Sequence, residues 1–178
     1  MKLVCFDFDD TLFYTPKADV GKTTWLEKTG TVWPHIGWWG KSETIDIDIF
    51  DIPINQWVLD RYEYHRSQKE TKVIVATGRL KKVNGMLDNI NKLFKQNNLE
   101  FDEIHLNWGG DTLRFKLKLF EEKIKQNEIK EFIMFDDRQE HLPHFEEWAD
   151  KFSKENNIKM TIVDVINKKE KTFNGSLI

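Results

Sequence analysis

A chain of 178 residues, 39% of them hydrophobic, is long enough to bury one core and short for two, so we expect a single domain over residues 1–178. The formal net charge of -3 argues against a protein that holds nucleic acid mainly through a strongly basic surface, although a local basic patch stays compatible with it. The single cysteine, Cys5, excludes an internal disulfide, and no run approaches the ~20 apolar residues that span a bilayer. These features predict a soluble, cytoplasmic protein with no membrane partner.

Short apolar runs of strand length recur along the chain, and most are rich in β-branched or aromatic residues. They lie at residues 2–6, 72–76, 102–106, 131–135 and 158–163. Apolar residues at helical spacing separate the later runs, and a further helix is predicted at 54–68. Strands that alternate with helices and are apolar along most of their length predict a mainly parallel sheet covered on both faces. The expected fold is a three-layer, doubly wound α/β fold, with a polar tail of undecided structure after Asp164.

Residues 13–53 interrupt this alternation. Glycines and prolines are scattered there among short polar runs, and five of the seven tryptophans of the chain fall in or near the segment. These are Trp25, Trp33, Trp38, Trp39 and Trp57. The composition predicts a small, irregular insertion or cap after the first strand. Two interpretations of the Trp33–Trp39 cluster stay open, namely packing of a small lid and stacking on a base of single-stranded nucleic acid.

Polar side chains follow the predicted strands, at the edge of an open α/β sheet where ligands bind. Asp7 and Asp9 follow the first strand, residues 77–79 the second, and Asp136 with Asp137 the fourth. Carboxylate oxygens suit Mg²⁺, which usually shares a phosphate oxygen of its substrate. A carboxylate can also attack phosphorus and form an aspartyl-phosphate. The pattern therefore indicates phosphoryl transfer with a magnesium ion at this edge.

A lysine near the start of the helix predicted from about Thr112 would neutralise a bound phosphate. Lys116 and Lys118 compete for this role. The neighbours of Lys116 at three and four residues are uncharged and include Leu113 and Phe120, so Lys116 borders the buried stripe. The neighbours of Lys118 are charged and indicate a solvated face. We therefore expect Lys116 to face the site.

The first of these segments, Asp7-Phe8-Asp9-Asp10-Thr11, resembles the first motif of the haloacid dehalogenase-like (HAD) superfamily, Asp-x-Asp-x-Thr at the end of the first strand. The resemblance implies that Asp7 is the nucleophile and a magnesium ligand. It also implies that Asp9 is the general acid and later base, and that its backbone carbonyl binds the metal. An aspartate at position 9 favours a phosphatase. Position 10 departs from the pattern, because many HAD enzymes have glycine there.

The remaining motifs are also similar to those of the superfamily. By the same resemblance, Thr77 is the phosphate-binding hydroxyl, Lys116 the third-motif lysine, and Asp136 with Asp137 the acidic pair on the metal, in an order left open. We expect Arg138 and His141 to lie three residues apart on one helix face beside that pair. The candidate substrate contacts are Thr11, Gly78, Arg79, Arg138 and His141.

A narrower similarity links the chain to the Swiss Army Knife RNA repair-like HAD family. It is carried by DFDDTLFYTP, WPHIGWW, VATGR, TLRFK and FDDRQEHLPHFEEW. The similarity implies a Mg²⁺-dependent phosphatase acting on a polynucleotide or nucleotide 3′-phosphate, with single-stranded nucleic-acid ends as the expected partner. Two alternatives stay open. One is a phosphatase of small metabolites, and the other is a catalytically silent nucleic-acid-binding module.

Overall fold

The predicted apolar runs form the parallel strands of one sheet in the computed structural model, which describes residues 1–175. These strands are β1 (Lys2–Phe6), β2 (Thr71–Leu80), β3 (Glu103–Asn107), β4 (Glu131–Asp136) and β5 (Lys159–Asp164). A sixth strand, β6 (Lys169–Phe173), pairs antiparallel with β5. The sheet order is β3-β2-β1-β4-β5-β6. The expected doubly wound, mainly parallel sheet is confirmed.

Five α-helices accompany the sheet within the described residues. They are α1 (Ala18–Thr29), α2 (Gln56–Ser67), α3 (Met86–Gln96), α4 (Thr112–Gln126) and α5 (Leu142–Asn156). The helix predicted at 54–68 is α2, whose first turn is capped by Asn55 through a hydrogen bond from the Trp57 backbone N–H. Within residues 1–175, no helix is both long and apolar enough to cross a membrane.

Side chains of β1 alternate between two hydrophobic cores, one on each face of the sheet. Val4 and Phe6 join the core formed with α2, α3 and the insertion. Leu3 and Cys5 join the core formed with α4 and α5. The three-layer arrangement follows from this alternation. Cys5 is buried, as expected, and burial raises the pKa of its thiol.

The strand order reverses beside β1, and this reversal positions the site. From β1 the chain moves outward to β2 and β3, and then returns to the other side of β1 as β4. Phe6 is in register with Val75 of β2 and Phe135 of β4. The backbone N–H of Asp7 donates to the Phe135 carbonyl at 3.0 Å. Residues that follow β1 and β4 therefore meet at one edge of the sheet.

The insertion at residues 13–53 is more regular than predicted. It contains the 12-residue helix α1 and a single 3₁₀ turn at Ser42–Ile45. The helix was missed because its apolar residues form no stripe, so the sequence carries no helical periodicity to detect. Hydrogen bonds close the base of the insertion, from the Tyr14 N–H to the Pro53 carbonyl at 2.9 Å and from the Asn55 N–H to the Leu12 carbonyl at 2.8 Å.

Two strand boundaries also differ from the prediction. β2 continues through Thr77 and Arg79 to Leu80 with a change of register, so the second motif lies within the end of the strand rather than after it. The polar tail left undecided after Asp164 supplies β6. β6 pairs with the preceding strand β5 across a short turn, and its mostly exposed side chains give no apolar signal of their own.

Candidate active site

A buried lysine lies between two aspartates at the carboxyl edge of the sheet. The Lys116 ammonium of α4 donates to an Asp7 carboxylate oxygen at 2.8 Å and to an Asp136 carboxylate oxygen at 2.7 Å. Lys116 is only 1% exposed. Lys118, the competing candidate, is exposed and lies over the Trp108 ring. The structure thus places Lys116 where the sequence predicts it, beside the end of β1.

Burial is the largest single influence on the pKa values of Lys116, Asp7 and Asp137. Burial by itself would lower the pKa of Lys116, but the Asp136 and Asp7 charges outweigh it and raise that pKa above its ordinary value. Burial raises the pKa of Asp7 well above its usual range. The Lys116 ammonium opposes this rise, and the Asp136 and Asp137 charges add to it. Burial, with the neighbouring Asp136 charge, also raises the pKa of Asp137.

Three carboxylates form a set that fits a hard divalent cation. Oxygens of Asp7, Asp136 and Asp137 lie within 4.8 Å of one another. All three donors are anionic oxygens, the ligand type that Mg²⁺ prefers. The Lys116 ammonium contacts Asp7 and Asp136, and repulsion from the Asp136 charge adds to the burial that raises the pKa values of Asp7 and Asp137. A cation held here would relieve that repulsion, so the residues present fit the metal that the resemblance implies.

The two members of the acidic pair have different surroundings. Asp136 is fully buried, and its two oxygens accept from Lys116 and from the backbone N–H of Arg138 at 2.9 Å. Asp137 is half-buried, lines the active-site cavity and accepts a hydrogen bond from the Thr11 hydroxyl at 3.2 Å. The carboxylate of Asp137 is therefore the more accessible of the two to an ion in the cavity.

Asp9 is paired with Arg79 instead of joining the three-carboxylate set. The Arg79 guanidinium donates to both oxygens of Asp9, with its Nη2 atom 2.7 Å from Oδ1 and its Nε atom 2.9 Å from Oδ2. Thr15 also donates to Oδ1 at 2.8 Å. Arg79 in turn donates to the Thr44 hydroxyl at 2.9 Å, which connects β2 to the insertion. Arg79 was predicted to contact substrate, and its donors are directed here to Asp9 and the insertion.

Thr77 and Gly78 lie at the bend of β2. The Thr77 side chain is fully buried, and its hydroxyl accepts from the Arg79 backbone N–H at 3.2 Å. Gly78 lines the cavity against the start of α4, where a Cβ atom would lie 2.7 Å from the Thr112 hydroxyl oxygen. Glycine is required there by close packing, a reason that the local sequence does not reveal.

Contacts of Thr11 and the backbone conformation of Asp10 fix the loop that carries the first motif. Thr11 is fully buried behind the carboxylates, which its hydroxyl contacts at Asp137 and, at 3.4 Å, at Asp7. Asp10 has a φ of 56°, in the left-handed region that glycine adopts without penalty and aspartate tolerates. This conformation explains how aspartate can stand where many HAD enzymes have glycine. The Asp10 carboxylate pairs with Lys17 of the insertion.

The expectation that Arg138 and His141 lie on one helix face is wrong. α5 begins only at Leu142, and both residues belong to the turn before it, where the His141 N–H donates to the Arg138 carbonyl at 2.9 Å. Pro143, near the start of α5, is compatible with the first turn of a helix, where no N–H partner is needed. Arg138 lines the cavity, and its guanidinium pairs with Glu140. His141 is buried, and burial followed by the Arg138 charge lowers its pKa.

One cavity of about 660 Å³ joins most of these groups. Of the predicted residues, Asp7, Asp9, Gly78, Arg79, Lys116, Asp137 and Arg138 line it. Thr11, Thr77 and Asp136 are buried side chains that contact this group. The sequence did not single out Thr15, Thr44 or Lys17, which hold Asp9, Arg79 and Asp10. All three residues belong to the insertion, whose sequence shows no helical or strand periodicity.

Residues 28–174 match the HAD domain family 1 in Swiss Army Knife RNA repair proteins. The chain belongs to this family. The matched range includes Thr77, Lys116, Asp136 and Asp137, and it starts after Asp7 and Asp9. Membership of a HAD family supports a phosphatase-type hydrolase, and enzymes of this superfamily typically use Mg²⁺. The resemblance inferred from the motifs is thereby confirmed.

This HAD domain is also similar to a solved structure. The crystal structure of an archaeal beta-phosphoglucomutase from the hyperthermophilic Pyrococcus sp. strain ST 04 is similar, with 16% sequence identity and a TM-score of 0.44 over 84% of each chain. A comparison with curated proteins gives no match. Family membership therefore rests on the sequence match, and the fold on the strand order described above.

Proposed function

We propose that this HAD domain is a Mg²⁺-dependent phosphomonoester hydrolase that acts through an aspartyl-phosphate on a polynucleotide or nucleotide 3′-phosphate. The observation that carries the proposal is the buried Lys116 between Asp7 and Asp136, at the base of a cavity that Asp9 also lines. Phosphoryl transfer requires mainly in-line positioning and neutralisation of charge. The buried ammonium supplies part of both, because it holds Asp7 and bears a permanent positive charge.

In the first step, an Asp7 oxygen attacks phosphorus. The new bond joins phosphorus to Asp7, and the ester bond breaks as the leaving oxygen takes a proton from Asp9. Lys116 holds the Asp7 Oδ1 atom, whereas Oδ2 has only the long 3.4 Å contact with Thr11. Oδ2 is therefore the freer oxygen for attack. Both Asp9 oxygens accept from Arg79, so one of them must leave the guanidinium to carry the proton.

In the second step, Asp9 takes a proton from water. The water oxygen attacks phosphorus, the bond to Asp7 breaks, and inorganic phosphate leaves with Asp7 again a carboxylate. Asp7, Asp136 and Asp137 would hold the magnesium ion. When bound, the ion supplies charge neutralisation for the transferring phosphoryl group.

Support for the nucleic-acid substrate comes from the family, whose members are described as parts of RNA repair proteins. The size of the insertion agrees with this choice. It adds one 12-residue helix and a 3₁₀ turn, which is a small cover for a cavity of about 660 Å³. A small metabolite would need a fuller enclosure to exclude water, whereas a polynucleotide end needs an open path.

The test is release of inorganic phosphate from 3′-phosphorylated RNA, 3′-phosphorylated DNA and a panel of metabolite phosphates. We expect the two oligonucleotides to be preferred, release to stop in EDTA, and Mg²⁺ to restore it. Asp7→Asn should reduce release to background while circular dichroism shows an intact fold. Asp51→Asn, at an exposed carboxylate, is the matched control and should leave release unchanged. Full activity of Asp7→Asn would disprove the nucleophile, and a preference for sugar phosphates would disprove the substrate class.

A further inference from the structure

One tryptophan of the insertion is exposed while its neighbours are buried. Trp33 and Trp38 are 7% and 3% exposed, whereas Trp39 is 56% exposed. The Trp38 indole N–H donates to the Pro16 carbonyl at 2.8 Å, and the Trp38 and Trp33 rings lie 4.6 Å apart. These two rings pack the insertion. Trp39 directly follows Trp38 in the chain, so the packing of Trp38 holds the backbone that carries Trp39.

Trp39 lines the same cavity as Asp7 and Lys116. Ile166, between β5 and β6, lines it as well and is 58% exposed. The cavity therefore combines a charged part, formed by the carboxylates and the lysine, with two large apolar side chains that are open to solvent. Such exposed apolar surface beside a phosphate site favours a ligand that carries a flat apolar group next to its phosphate.

A cation orients the Trp39 ring. The Lys17 ammonium lies 5.1 Å from the ring centroid, and it also pairs with Asp10 at the end of the first motif. The cation–π contact and the ion pair together restrain the indole relative to the catalytic loop. A restrained aromatic side chain loses less conformational entropy when a ligand stacks on it.

We propose that Trp39 is a stacking platform for the unpaired base of the 3′-terminal nucleotide whose phosphate is placed at Asp7. This inference rests on the proposed function and names its substrate class. Every base presents a π-face, so the platform accepts RNA and DNA ends of any sequence. A terminal base paired in a duplex is already stacked on its neighbour. The preferred substrate is therefore a single-stranded, 3′-phosphorylated end.

Binding tests the platform independently of turnover. The full chain carrying Asp7→Asn is titrated in Mg²⁺ with fluorescent 3′-phosphorylated RNA and DNA oligonucleotides, each made with and without a base on the terminal nucleotide. We expect the base-bearing form to bind more tightly, and adding Trp39→Ala to weaken its binding about 5- to 150-fold and remove the preference. Trp39→Phe should retain part of the preference, because phenylalanine keeps an aromatic face.

Trp108→Ala is the matched control. Trp108 is also 56% exposed, follows β3 and does not line the cavity, so its removal should leave the base preference intact. Equal affinity for base-bearing and abasic ends, equal losses in the two tryptophan variants, or tighter binding of duplex ends or of a phosphotyrosine peptide would each overturn the proposal.

Hydrolysis by the wild-type chain separates this inference from the proposed function. Phosphate release from the base-bearing and abasic oligonucleotides at equal kcat/KM would overturn the platform and leave the phosphatase in place. A chain that binds base-bearing ends more tightly, but releases phosphate from neither the oligonucleotides nor glycerol 2-phosphate, would overturn the phosphatase and support the platform. Faster release from the base-bearing ends would support both.

Discussion

At the scale of single residues, the site contains two separate sets of ion pairs. Lys116 holds Asp7 and Asp136, and Arg79 holds Asp9. Asp7 and Asp9 are two residues apart in sequence, yet each contacts a different cation. Different surroundings are what two carboxylates need in order to act as nucleophile and as proton carrier. The proposed division of roles is therefore compatible with the contacts of each side chain.

Replacing Lys116 by methionine tests the buried ammonium, because methionine keeps a similar volume without the charge. We expect phosphate release to be lost, and the free energy of unfolding to fall by about 3–5 kcal/mol, since Asp7 and Asp136 lose their common partner in a buried position. Urea denaturation in EDTA measures the stability change. Exposed Lys118→Met is the control and should change stability by less than about 0.5 kcal/mol. An unchanged Lys116→Met protein would contradict this account.

At the scale of elements, close aromatic packing joins two parts of the insertion to each other. Trp38 of the insertion lies against Gly21 of α1, and a Cβ atom at Gly21 would be 2.2 Å from the Trp38 ring. Arg79 of β2 adds a polar connection through its hydrogen bond to Thr44. Packing at Gly21 therefore affects the position of the segment that carries Trp39.

Gly21→Ala should displace the Trp38 ring. We expect a loss of about 1–3 kcal/mol in the free energy of unfolding from overpacking, reduced slightly by the better helix propensity of alanine. Hydrogen exchange should also become faster in α1. Gly37→Ala is the matched control, because a Cβ atom there meets nothing within 4 Å. Similar stability of the two variants in urea would show that Trp38 does not depend on the absence of a side chain at Gly21.

At the scale of the whole molecule, the stability of the two cores should depend on pH through buried histidines. His65 of α2 is 8% exposed and contacts Phe135 of β4. Burial, together with the Lys2 charge and against the opposing Glu131 charge, lowers the pKa of His65 to about 4. The unfolded chain binds a proton near the ordinary value of about 6.5, and the folded chain does so only near 4. The contribution is therefore complete above pH 6.5 and is lost as the pH falls toward 4.

His65→Gln should make stability less sensitive to acid. The urea midpoint of the wild-type protein should fall between pH 7 and pH 5, and that of the variant should fall by less. Burial also lowers the pKa values of His105 and His141, so a reduced slope is expected instead of a flat one. Parallel midpoint curves for the two proteins would refute the contribution of His65.

Much of the fold could be predicted because its signal is local. The five parallel strands are short apolar runs, and α3, α4 and α5 have apolar residues at helical spacing. α1 was missed because its apolar residues form no stripe, and β6 was left undecided because its side chains are mostly exposed. The start of α5 was placed too early, because the turn at Arg138 shows no break in the apolar pattern that follows it.

The fold class, the family and the acidic groups that follow β1 and β4 could be read from the chain, because these depend on residue type and spacing. The sequence also selected Lys116 over Lys118, since helical geometry assigns each lysine to one face. The partners of those groups, in contrast, depend on how the chain folds. Asp9 faces Arg79, Asp136 is enclosed, and Trp39 alone of the Trp33–Trp39 cluster is open to solvent at the cavity. Such contacts join segments far apart in the chain, and no local pattern specifies them.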